Sequence, residues 1–173
     1  MPDKSERKLF WGPLSALGLS LGAVIAISDQ ILKWWMLNVF EIEAKGQVAV
    51  APFLDLVMVW NRGISFGLFQ QGSQIGQILL AVLAVAAVIG LTWWLASMTS
   101  VIGAVGAGLV MGGAIGNGID RLVYGAVADF FSFHVGDFYW YVFNIADAAI
   151  VVGVVGLMYE SIFESHKKVS KTS

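Results

Sequence analysis

Residues 141–159 read YVFNIADAAIVVGVVGLMY, an apolar run whose one carboxylate is Asp147. It is about as long as the ~20 residues needed to cross the hydrocarbon of a bilayer. An ionised carboxylate at that depth costs on the order of 3 kcal/mol on insertion scales, so an acid there marks a working site. Three further apolar stretches accompany it, at roughly 9–35, 75–95 and 101–122. Trp34, Trp35, Trp60, Trp93, Trp94 and Trp140 fall near the expected ends, where interfacial anchors sit.

Composition agrees. The 173 residues are 58% hydrophobic and 13% charged, with a mean hydropathy of +0.78. A soluble domain of this size exposes far more charge. The expected class is an all-α polytopic membrane protein, one membrane domain over 1–173. Outer segments at roughly 36–74 and 123–140 supply a small extracytoplasmic β-element and an interfacial segment. A net charge of −2 argues against nucleic-acid binding. There is no cysteine, which removes thiol nucleophiles and thiolate metal sites. His134 and His166 are far apart, so neither a metal nor a cofactor is expected.

Basic residues set the orientation. Lys4, Arg7 and Lys8 precede the first span, and Lys167, Lys168 and Lys171 follow the last. Both termini then face the cytoplasm, as an even number of spans requires. The first stretch is read as a retained helix: its apolar run is long for a leader, and Ala26-Ile27-Ser28-Asp29 is a poor cleavage site.

Between spans one and two, Val48-Ala49-Val50-Ala51 and Phe53–Trp60 are rich in branched and aromatic residues and are separated by Pro52, which predicts strands. Ile64–Phe69, broken by glycines, is expected to be a loop dipping toward lipid. Phe130–His134 reads as an interfacial lip. Asp55, Glu41, Glu43 and Asp137 read as solvated outer-loop charges, and His134 as interfacial. The third span carries Gly103, Gly106, Gly108, Gly112, Gly113, Gly116 and Gly118; small residues four apart let helices approach closely.

The polar residues fall on defined faces. Asp129, in Val127-Ala128-Asp129-Phe130, lies just before the fourth span. Two nearby carboxylates can share one proton and hold a water, which makes Asp129 and Asp147 the candidate catalytic pair. Asn144 lies three residues before Asp147, on its face and one to two turns below the outer surface. Asn117, Asp120 and Arg121 share a face of the third span, where Asp120 and Arg121 either associate or leave Arg121 to hold a lipid phosphate or a peptide carbonyl. Asp29 and Lys33 are four apart and suit an ion pair or a role in shaping the site. Asn61 either makes a turn or binds a peptide backbone.

Five strings occur in order: Ser28-Asp29-Gln30-Ile31-Leu32-Lys33, Asn61-Arg62-Gly63-Ile64-Ser65-Phe66, Gly116-Asn117-Gly118-Ile119-Asp120-Arg121, Val127-Ala128-Asp129-Phe130 and Phe143-Asn144-Ile145-Ala146-Asp147. In content, order and span number the chain resembles the lipoprotein signal peptidase (signal peptidase II) family. Leu32 departs from the family's habit of a smaller or polar residue before the lysine. The resemblance implies an aspartic endopeptidase of the bacterial inner membrane, with its active site near the periplasmic face. It would remove the signal peptide from prolipoproteins by cutting before the diacylglyceryl-cysteine. The catalytic pair falls on Asp129 and Asp147, and supporting residues on Asp29, Lys33, Asn61, Gly63, Asn117, Asp120, Arg121 and Asn144. Implied partners are the lipidated substrate, membrane lipids and the inhibitor globomycin, with the protein a monomer. The alternative is a small proton-coupled transporter or channel that uses the intramembrane acids as a relay.

Overall fold

The computed structural model describes residues 10–63 and 73–169. The expected loop at Ile64–Phe69, and Lys4, Arg7, Lys8 and Lys171, lie outside them. Four helices are long and apolar enough to cross a membrane: Ser15–Asn38 (α1), Gln74–Leu95 (α3), Val101–Val123 (α4) and the first part, Ile145–Ile162, of α5 (Ile145–Val169). A short helix, Ile42–Lys45 (α2), follows α1. The strands are Val48–Ala51 (β1), Leu54–Asn61 (β2), Val127–Val135 (β3) and Phe138–Phe143 (β4).

Helix α4 is the hub, packed on α1, α3 and α5. Lipid tails give apolar helices no reason to associate, so close backbone contact must hold them. The glycines of α4 provide it on two faces. A Cβ added at Gly108 or Gly112 would come within 2.5 Å of the carbonyl oxygens of Gly18 and Gly22 on α1. On the other face, a Cβ at Gly113 would collide with the Ala146 carbonyl, and one at Gly153 of α5 would meet that of Gly106 at 2.6 Å. The partner face of α1 is a stripe at Ser15, Gly18, Gly22, Ala26, Asp29, Lys33 and Met36, all buried, at helical spacing. The hydroxyls of Ser73 and Ser100 cap α3 and α4 by accepting the N–H groups of Gly76 and Gly103.

The strands form one antiparallel sheet in the order β1-β2-β3-β4. It seats on the end of α1 through Met36, Ile42, Ala128 and Phe130, with Leu56 and Met58 packed against them. This corrects the all-α class: the helices are joined by a four-stranded sheet. Phe130–His134 is not a surface lip but part of a central strand, with Phe130 wholly buried. Tyr141–Phe143 ends β4 and does not open the fourth helix, which starts at Ile145. The run from Phe138 to Phe143 is aromatic and branched and prefers a pleated surface. Gly136, at φ +60°, turns β3 back into it. Hydropathy cannot separate such a strand from the apolar helix that continues it.

Asp55 is a second correction. It is 3% exposed, accepts from Gln47 Nε2 at 2.6 Å and faces His134 Nε2 at 3.3 Å. The β2–β3 pairing (Asp55 opposite Ser132) turns it inward. Glu41, Glu43 and Asp137 are exposed.

Candidate active site

Asp129 lies on β3 opposite Val59 of β2, beside a register shift between Leu56 and Val59. Such irregularities re-aim side chains. Asp147 lies in the first turn of α5, three residues after Asn144. The Asn144 carbonyl accepts the Ala148 N–H at 3.2 Å, and its side-chain oxygen accepts the Asp147 N–H at 2.9 Å. That is the geometry of a helix N-cap. Asn144 and Asp147 therefore stand at the start of α5, because β4 occupies the residues expected to begin the span.

Asn144 joins the two acids. Its Nδ2 donates to Asp129 Oδ1 at 2.7 Å, while its Oδ1 holds the backbone of Asp147. Asn61 Nδ2 donates to the other Asp129 oxygen at 3.2 Å. Asn61 Oδ1 accepts the Gly63 N–H at 3.0 Å, so Asn61 makes a turn and reaches the acid as well. Asn117 Nδ2 donates to Asp147 Oδ1 at 2.8 Å. Asn117 Oδ1 accepts from Lys33 Nζ at 3.2 Å and from Asn144 Nδ2 at 3.1 Å. Two donors on that oxygen fix the amide, which leaves its N–H₂ for Asp147.

Beneath the amides lies a buried ion cluster. Lys33 Nζ is 2.7 Å from Asp29 Oδ2 and 2.7 Å from Asp120 Oδ2, with all three residues 2% exposed or less. Gln30 Nε2 donates to Asp120 Oδ1 at 2.9 Å and to the Gly116 carbonyl at 3.1 Å. Of the two alternatives for Asp120 and Arg121, the described residues show no direct pairing: Asp120 is held by Lys33 and Arg121 by backbone carbonyls. Neighbouring helical positions point about 100° apart, so Asp120 turns to Lys33 while Arg121 turns outward. Arg121 Nη1 donates to the Asn117 carbonyl at 3.0 Å and Nη2 to the Gly63 carbonyl at 2.8 Å. It thereby pins the turn after β2 to α4, within electrostatic reach of Asp120, Asp129 and Asp147.

Asp129 is 1% exposed. Its carboxyl is pushed up to about 7, first by burial, which penalises the charged form, and then by the nearby charge of Asp147. Hydrogen bonds from Asn61 and Asn144 and the charge of Lys33 oppose the rise. Asp147 is half-buried.

Two cavities meet at the acids. One of about 480 Å³ lies over the sheet and includes Asp129, Val59, Trp60, Arg62 and Tyr139. The other, of about 290 Å³, is mostly apolar and includes Asp147, Phe143, Ala148, Val151 and Val152. Asn61, Trp140, Tyr141 and Val142 line both. A peptide carbonyl and a water at this junction would lie between two carboxyl groups.

All ten residues singled out from the sequence fall in this assembly. Those not anticipated are Gln30, the β4 residues Trp140–Val142, and the backbone N–H groups of Ala128 and Ala146. The last pair left a trace as an Ala-Asp step in two of the strings, and Gln30 lies within the first string. Among the described residues no group of His, Asp and Glu has metal-binding geometry.

The chain matches the family model described as signal peptidase (SPase) II over residues 21–163. It is similar to the lipoprotein signal peptidase of Rhodopseudomonas palustris (strain ATCC BAA-98 / CGA009), 50% identical over 84% of this chain and 92% of that one. It is similar also to the lipoprotein signal peptidase of Methylobacterium sp. (strain 4-46), 46% identical over 85% and 89% of the two chains. Among solved structures, a bacterial membrane enzyme determined by the in meso method at 2.3 Å resolution shares the fold, with a TM-score of 0.77 at 22% identity over 88% of this chain and 92% of that one. This multi-pass membrane protein is a peptidase and belongs to the signal peptidase II family.

Proposed function

We propose that the chain is an aspartic endopeptidase that removes the signal peptide from diacylglyceryl-modified prolipoproteins, with Asp129 and Asp147 as its catalytic pair. The observation that carries this reading is the Asn144 bridge, which holds Asp129 by its amide and Asp147 by its backbone. A carboxyl held near 7 beside a second acid is the electrostatic pattern of a shared proton.

In this reading Asp129 carries the proton at rest and Asp147 is ionised. Asp147 takes a proton from a water as its oxygen adds to the scissile carbonyl carbon, and Asp129 gives its proton to the carbonyl oxygen. In the second half Asp147 protonates the leaving nitrogen, Asp129 recovers a proton from the tetrahedral diol, and the C–N bond breaks. The pair ends as it began. Asn61 and Asn144 hold Asp129, Asn117 holds Asp147, and Asp29, Lys33, Gly63, Asp120 and Arg121 hold the frame.

The cavity over the sheet takes the peptide around the scissile bond. The apolar cavity toward Val151 and Val152 opens where acyl chains of a lipidated cysteine would lie, so that the lipid converts recognition into positioning. The enzyme works as a monomeric membrane domain of the bacterial inner membrane, with both termini cytoplasmic and the sheet on the periplasmic side. Globomycin competes for the cleft. The proton-relay alternative has no support among the relatives above, whose names are those of peptidases.

A synthetic prolipoprotein peptide with and without diacylglycerol on its cysteine tests the substrate class. Purified protein should cut the lipidated form just before the cysteine and leave the unlipidated form largely intact. Equal cutting of both, or cutting elsewhere, would refute it.

A further inference from the structure

The peptide N–H immediately before each acid is held by a buried carboxylate. Asp120 Oδ2 accepts the Ala128 N–H at 3.1 Å, and Asp29 Oδ1 accepts the Ala146 N–H at 3.1 Å. Ala128 precedes Asp129, and Ala146 precedes Asp147; both alanines are fully buried. The two carboxylates come from different helices, and one ammonium ties them together, Lys33 Nζ at 2.7 Å from each. Two equal arms thus run from one nitrogen, through α1 and α4, to the backbone beneath each acid on β3 and α5. The same nitrogen also fixes Asn117, the donor to Asp147.

We propose that Lys33 is a positioning residue, a yoke that sets the separation of Asp129 and Asp147 through Asp29, Asp120 and the backbone N–H groups they hold. The inference rests on the catalytic pairing proposed above. Lys33 acts through others: its ammonium meets Asp29, Asp120 and Asn117. Without the ammonium, Asp29 and Asp120 face each other as like charges in a low-dielectric site and must part or take up a proton. Either response loosens the backbone under one acid, and misplacement by about 1 Å can cost on the order of 100-fold in rate.

The pH profile supplies a readout that simple destabilisation does not move. The charged groups that act on Lys33 are Asp29 on its own helix, Asp120 on α4, Asp129 on β3 and Asp147 on α5. Lys33 lowers the Asp129 titration, so its loss should carry the alkaline limb of kcat to higher pH as kcat falls.

The experiment compares wild type, Lys33→Met and Lys33→Arg on the diacylglyceryl peptide from pH 5 to 9, with activity normalised to folded protein. Lys33→Met is expected to lower kcat about 100-fold or more with KM within a few-fold, and to displace the profile. Lys33→Arg keeps the charge and should keep the profile in place while recovering part of kcat. If Lys33→Met yields too little folded protein, Asp120→Asn keeps an acceptor for the Ala128 N–H but breaks the charge tie; it should lower kcat at least about tenfold with KM held. Lower folded yield with unchanged kcat and unchanged limbs, in whichever variant folds, would overturn the yoke. Wild type that does not cut the lipidated peptide would instead remove the catalytic reading on which it stands.

Discussion

Asp129→Asn exchanges an acid for an amide of nearly the same shape, at a site where the acid is held in conflict with its surroundings. The carboxyl ordinarily titrates near 3.8 and here near 7. Roughly three pH units, at 1.36 kcal/mol each, correspond to about 4 kcal/mol. The folded state binds the proton more tightly than the unfolded one, so stability is greatest below about pH 4 and falls as pH rises through about 7. The amide has no such dependence. It does lose one favourable contact, because Asn61 and Asn144 both present N–H groups and Asn offers only one acceptor oxygen. That mismatch costs about 1–2 kcal/mol. The variant should therefore be the less stable protein at pH 4 and the more stable by about 2–3 kcal/mol at pH 8, with the curves crossing near pH 5. Thermal unfolding in detergent at pH values from 4 to 8 would follow both. Parallel curves for the two proteins would refute the assignment of a buried, elevated acid to Asp129.

The same titration predicts the wild-type rate: if protonated Asp129 gives its proton to the carbonyl, kcat should fall as pH rises through about 7, and a rate rising through pH 8 would exclude that role. Gly116 faces Asp29, whose Oδ2 would lie 2.5 Å from an added Cβ. Gly116→Ala should displace Asp29 from Ala146, costing about 1–3 kcal/mol of stability and lowering kcat, whereas wild-type turnover would contradict the link between α1 and the start of α5.

Much of the helical frame is legible in the sequence because lipid imposes one rule, length with apolarity, and the stretches ending in Leu95 and beginning at Val101 obey it simply. The glycines on α4 are legible for the same reason. The sheet is only half legible. Pro52 and the branched run to Trp60 mark β1 and β2, but Phe138–Phe143 runs without a break in hydropathy into α5, so a strand and a helix read as one span. The partners of Asp55 and Asp120 escaped local reading because His134 and Lys33 are distant in sequence and arrive only through strand register and helix packing. Asp29 and Lys33 signal each other at i and i+4, and that pair is present; its second carboxylate, Asp120, is the part that no local pattern discloses. The two Ala-Asp steps carry the clearest unused signal, since a small residue before each acid is what lets a neighbouring carboxylate reach the backbone.

Asp129 and Asp147 are proposed to perform the cleavage as a pair. Turnover of the diacylglyceryl peptide by Asp129→Asn and Asp147→Asn, each shown to be folded by its unfolding transition, tests it most directly. Both should lose cleavage by at least about 10³-fold, with lipidated peptide still bound. Substantial turnover in either folded variant would contradict it.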